Sequence, residues 1–180
     1  MITDSLYNSA LSRLTRKFNL SQSKLLASLM VAQAKHETGN FTSSVFKNNN
    51  NAFGYKYYKG SLYQIGKGKT SPELDSYGNF NTPEDSAKEV ADWLGRRKAD
   101  FEKISTPAEY GHLLKKYKYY GADENLYITA LKNFFTPIIS STSELISSTK
   151  ETIQKKKSLK FIIIIPFLLI GFLLFKKYKK

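Results

Sequence analysis

The sequence predicts a mainly α-helical domain that carries a small β-rich lobe and is followed by a C-terminal membrane helix. Three observations carry that prediction. Apolar residues recur at helical spacing from Leu6 to Met30. Glycines at positions 54, 60, 66, 68 and 78 stand among many tyrosines, the mark of turns and short strands. The run from Phe161 to Phe175, FIIIIPFLLIGFLLF, holds fifteen residues without a charge, with four lysines before it and four after.

The first helix spans Asp4 to Phe18, with Leu6, Ala10, Leu11, Leu14 and Phe18 on one face. The second runs from Gln22 to Thr38, with Ser21 as N-cap and Gly39 as its stop. After the glycine- and tyrosine-rich lobe, a third helix covers Pro83 to Lys98, opened by Thr82 with Asp85 three residues on, a variant capping box. Shorter helices cover 106–117 and 124–135, and residues 1–136 form the domain. Residues 137–158, rich in Ser, Thr and Lys, read as a linker, though their apolar positions also suit a weak amphipathic helix.

The membrane helix spans 159–176, and a basic tail covers 177–180. A fifteen-residue helix is about 23 Å long, short of a hydrocarbon core of roughly 30 Å. Leu159 and snorkelling by Lys160 and Lys176 narrow the gap. Pro166 and Gly171 are tolerated in membranes. A buried core helix is the alternative, and the flanking lysine clusters argue against it. Similar positive charge on both flanks leaves the orientation unread. MITDSLYNSALSRLTRKF at the start holds no apolar signal-peptide core.

Composition narrows the chemistry. The chain has 180 residues, no cysteine and two histidines, so a disulfide scaffold and a thiolate zinc site are excluded and a histidine-rich metal site is not expected. No cofactor is implied. The net charge is +13, which favours an anionic partner, and residues 151–180 hold eight lysines against the single acid Glu151. Basic residues in 1–136 are scattered among acids and follow no nucleic-acid-binding motif, so no nucleic-acid partner is expected.

The second helix ends on the residue with the most chemical promise. Leu26, Met30, Gln33 and Glu37 share one face, so a carboxyl terminates an otherwise buried stripe. Desolvation and the negative end of the helix dipole both raise the pKa of such a carboxyl. A raised pKa is what a general acid needs before it can protonate a leaving oxygen. Position alone is equally served by a salt-bridged surface glutamate.

The string AQAKHETGNF, with NNNAFGYK after it, resembles the glucosaminidase domains of bacterial and phage autolysins and of the flagellar muramidase. Ala32, Gln33, Ala34, Glu37, Thr38 and Gly39 match the family's first element. Asn50, Asn51, Phe53, Gly54 and Lys56 match its second, with Ala52 and Tyr55 as departures. YGNFNTPEDSA, from Tyr77, is similar to a third element, although Gly78 replaces the usual arginine. YYGADENLYITAL, from Tyr119, resembles a fourth, aligning Tyr120, Asp123 and Tyr127 with one insertion. The four elements lie in the family's order and cover roughly residues 20–135.

The resemblance implies a lysozyme-like fold and a peptidoglycan hydrolase acting on glycan strands, with Glu37 as the catalytic acid and Tyr120 near the cleavage site. Asn51 and Phe53 would shape the groove floor, though Phe53 also suits core packing and Tyr120 a buried aromatic. Tyr55 and Tyr77 suit sugar stacking as well as a half-buried sheet. His36 points to another face than Glu37 and reads as structural. Hydrolysis pairs the acid with a base or nucleophile, and Glu73 and Asp75 in the lobe are the candidates. Either also reads as an exposed hairpin acid, and the substrate's own N-acetyl group is a further option. The whole chain then reads as a membrane-anchored N-acetylglucosaminidase, its partners glycan strands and a lipid membrane. A bacteriophage virion with a membrane is one setting for it and a cellular autolysin another. The alternatives are a lytic transglycosylase and an inactive membrane-anchored wall-binding or structural virion protein.

Overall fold

A computed structural model describes residues 1–68 and 76–136, which belong to one unit, Met1–Ile138. Spacing of four puts Leu6, Ala10 and Leu14 on the buried face of α1 (Ile2–Leu14), and Phe18 stays buried beyond its end. The helix stops four residues earlier than its apolar periodicity predicts, because a turn carries the backbone from Thr15 to Phe18. α2 (Leu20–Glu37) is capped by Asn19, whose side chain accepts from the Gln22 amide. Asn19 rather than Ser21 is therefore the N-cap, and the Ser21 side chain is left to solvent.

α2 is buried on nearly every side from Leu26 to Ala34. Small residues, Ala27, Ser28, Ala32 and Ala34, let neighbouring elements approach it closely. Leu26, Leu29 and Met30 are fully enclosed, each side chain stabilising the domain by about 1.5–3 kcal/mol. α1 packs against both α2 and α4 (Pro83–Gly95). Thr82 caps α4 by accepting from the Asp85 amide, as its sequence predicts. The helix ends at Gly95 and a short α5 (Lys98–Phe101) follows, where the sequence predicts one helix running to Lys98.

α6 (Pro107–Lys116) opens on a full capping box between Thr106 and Glu109. A last helix, α7 (124–136), follows. A short α3 (Ser44–Asn49), which the sequence reading lacks, fills the space between α2 and the lobe; six residues are too few to show periodicity. The lobe is an antiparallel pair, β1 (Gln64–Lys67) with β2 (Gly78–Phe80), irregular between Gln64 and Gly66. Lys56 bridges Tyr77 beside it. Among the described residues the domain is thus mainly helical with a small two-stranded sheet.

The linker 137–158, the membrane helix 159–176, the basic tail 177–180 and the acids Glu73 and Asp75 all lie outside the described residues. Among the described residues no helix is long and apolar enough to cross a membrane.

Candidate functional site

Glu37 is the last residue of α2 and lines a cleft of about 740 Å³. The chain leaves the helix sharply there. Thr38 donates its hydroxyl to the Ala34 carbonyl at 2.6 Å and accepts from the Phe41 amide at 2.7 Å. Gly39, Asn40 and Phe41 then take left-handed backbone in succession, with φ of 53°, 57° and 68°. Glycine and asparagine accept that region readily, and phenylalanine does not. The Phe41 ring is held against Phe46 of α3, 5.4 Å between centroids, which fixes the turn that bares the end of α2.

The opposite wall is the 51–55 loop. Asn51 is fully buried and organises it. Its amide nitrogen donates to the Tyr55 and Gly78 carbonyls at 2.8 and 3.0 Å, and its oxygen accepts from the Phe53 and Tyr55 amides. The loop is thereby tied to β2, and Gly54 is set against the acid. Gly54 has φ of 59°, which favours glycine, while a Cβ there would meet Glu37 Oε2 at an ordinary contact of 3.6 Å, so the backbone rather than the space calls for glycine.

Tyr127 of α7 donates its hydroxyl to Glu37 Oε1 at 2.5 Å. Its ring stacks on Tyr120, centroids 3.6 Å apart and planes 4° from parallel, and receives the His36 ring edge-on at 4.7 Å. Beneath the acid, Gln33 is fully buried and accepts from the Tyr110 hydroxyl at 2.6 Å. Burial pushes the Glu37 carboxyl up to about 7, and the Tyr127 hydrogen bond only partly offsets this. Desolvation and the ionised form of Glu37 push the Tyr127 hydroxyl far above its ordinary range, so it stays a donor.

Glu37, Tyr120, Tyr77 and Asn51 all line the cleft. The Tyr120 hydroxyl turns away, donating to the Gly111 carbonyl at 3.0 Å, so Tyr120 meets the acid only through the Tyr127 ring. Phe53 is a correction: its ring is 1% exposed in the core, and only its carbonyl reaches outward, accepting from Tyr119 at 2.9 Å. Tyr55 stands half-buried behind the cleft, its ring 6.2 Å from that of Tyr119. His36 lines the cleft too, although it follows another helical direction than Glu37.

Tyr127 and Tyr119 are the contributions the sequence reading lacks. The alignment of the fourth element touches Tyr127, but nothing in spacing shows a contact ninety residues away. Among the described residues, Glu37 is the one carboxyl lining the cleft, and no cluster of His, Cys, Asp and Glu is placed to hold a metal ion.

A carboxyl that keeps its proton near pH 7 beside an open cleft is what glycosidic bond cleavage asks for, and the domain is by class a glycoside hydrolase. The chain belongs to the glucosaminidase family, described as mannosyl-glycoprotein endo-beta-N-acetylglucosaminidase, whose profile matches residues 14–142. No curated protein matches the chain. Among solved structures, one titled "Structure of a type VI secretion system effector-immunity complex from Pseudomonas protegens" is similar over 73% of this chain and 98% of its own, with 18% identity and a TM-score of 0.47.

Proposed function

We propose that the domain cleaves the glycan strands of peptidoglycan as an N-acetylglucosaminidase, with Glu37 as general acid. The observation that carries this is the Glu37 carboxyl, set on the cleft at the end of α2 with the Tyr127 hydroxyl on one of its oxygens, and burial there pushes it up to about 7. Tyr127 donates to Oε1, which leaves Oε2, facing Gly54, to carry the acid proton. Transfer of that proton to the glycosidic oxygen lets its bond to the anomeric carbon break, so that the leaving sugar departs with a free hydroxyl. Water adds to the anomeric carbon and gives up a proton in its turn. The Tyr127 hydroxyl stabilises the carboxylate left behind. Tyr120 supports the Tyr127 ring, while Tyr77 and Tyr119 offer aromatic faces to a sugar. The lysine-bracketed apolar run of 159–176 supports attachment of the domain to a membrane.

A lytic transglycosylase is the second reading, favoured by the single carboxyl that the described cleft presents. Purified peptidoglycan is digested with wild type and Glu37→Gln, the fragments are reduced with borohydride, and their ends are identified by mass spectrometry. Glucosaminitol ends from wild type alone are expected. Anhydro-muramyl ends would move the assignment to the transglycosylase, and release by Glu37→Gln would remove Glu37 from the chemistry.

A further inference from the structure

Three lysines rim the cleft that holds Glu37. Lys56 comes from the lobe, and Lys115 and Lys118 come from the end of α6 and the turn after it. These three ammonium-bearing side chains line the same cleft as Glu37.

The two lysines of the α6 wall are used differently. Lys115 donates to the Gly121 and Ala122 carbonyls at 3.1 and 2.6 Å and sits 5.1 Å from the centre of the Tyr120 ring, so it braces the wall. Lys118 is exposed, and among the described residues it meets no acid. Its backbone closes α6: the Lys118 amide donates to Lys115 and the Tyr119 amide to Leu114, both at 2.9 Å. The closure places Lys118 at φ of 55°, the left-handed position after a helix where glycine is the usual residue. A side chain costs stability there, and this one adds a charge to the cleft in return.

We propose that Lys118 is a specificity-determining residue that binds a carboxylate carried by the glycan, so that the cleft prefers anionic wall strands to neutral N-acetylglucosamine polymers. The carboxylate is either the lactyl group of muramic acid or one on the stem peptide, both of which a lysine ammonium recognises as a point charge. The inference rests on the reading of this cleft as a glycan site.

The test uses the full chain, wild type beside Lys118→Gly and Lys118→Asn, both neutral residues that accept left-handed backbone. Binding and turnover are measured on three probes: chitooligosaccharide, amidase-stripped glycan bearing free lactyl carboxylates, and intact peptide-bearing strands. Wild type is expected to favour the anionic probes. Both variants should cut the anionic-to-neutral ratio by about five- to tenfold at low salt, while Lys118→Gly melts higher than wild type. A drop on stripped glycan assigns the lactyl carboxylate, and a drop confined to peptide-bearing strands assigns the stem. An unchanged ratio in folded variants, or no binding preference in wild type, would overturn the proposal. Binding without turnover in wild type would instead count against the enzymatic reading and leave the preference measured.

Discussion

Two carboxyls are sunk into the wall of this domain, one at the end of α2 and one on α4, and they are held for different purposes. Glu89 of α4 is 1% exposed. It accepts from the Tyr58 hydroxyl at 3.0 Å and from Ser61, and Arg96 stands 4.0 Å away. One turn along, Asp92 accepts from Nε and Nη2 of Arg13 and from the Tyr63 hydroxyl at 3.0 Å. Together these acids fasten the 57–63 loop to the helical body. Among the described residues Glu37 has a single hydroxyl donor, on Oε1, and its Oε2 stands beside Gly54 of the cleft lining. Burial with full hydrogen bonding fixes a structure, whereas burial with one oxygen left open stores a proton.

Removing each acid in turn is the sharpest way to break that contrast. Glu37→Gln should lower turnover of glycan strands by about 10²- to 10⁴-fold, the share of a general acid, with the melting temperature held or raised. Glu89→Ala should do the reverse, costing about 2–3 kcal/mol and speeding hydrogen exchange across residues 57–63, since two hydroxyls lose their acceptor and Arg96 loses its nearby charge. Equal effects of the two changes on turnover would erase the distinction.

Tyr127→Phe should act on a smaller scale and on chemistry alone. Losing a hydrogen bond to the ionised carboxyl lowers kcat by about tenfold. The same bond holds the Glu37 pKa down, so its loss moves the basic limb of the rate profile upward.

The smallest effect is a matter of sign. Glu37 rises from 4.5 to about 7 on folding, so the fold favours its protonated form. Its ionisation subtracts stability as pH climbs between those values, and the loss is complete above them. Thermal melts of Glu37→Gln and wild type should therefore coincide at pH 4 and separate at pH 8, the variant melting about 2–4 °C higher for each kcal/mol relieved. A variant that melts lower at pH 8 would contradict a desolvated acid.

How much of this the sequence discloses depends on distance along the chain. Thr82 and the stripe ending at Glu37 are legible because capping and helical periodicity are local. Asn19 as the cap of α2 is not, because Ser21, two residues on, fits the pattern equally well. The identity of Phe53 cannot tell a core ring from a groove floor, and only packing shows that it reaches no surface. Tyr127 on Glu37 and the tyrosine hydroxyls on Glu89 and Asp92 are long-range pairings that spacing does not encode. Lys118 is hidden for a similar reason, since its left-handed backbone follows from how α6 closes rather than from the residue itself.

The most direct test of the central claim is the pH dependence of kcat/KM for wild type on soluble glycan strands. With Glu37 acting as the acid, the rate should fall above a basic limb near pH 7, where the carboxyl loses its proton. A rate that stays level up to pH 9 would show that Glu37 is not the acid that cleaves the strand.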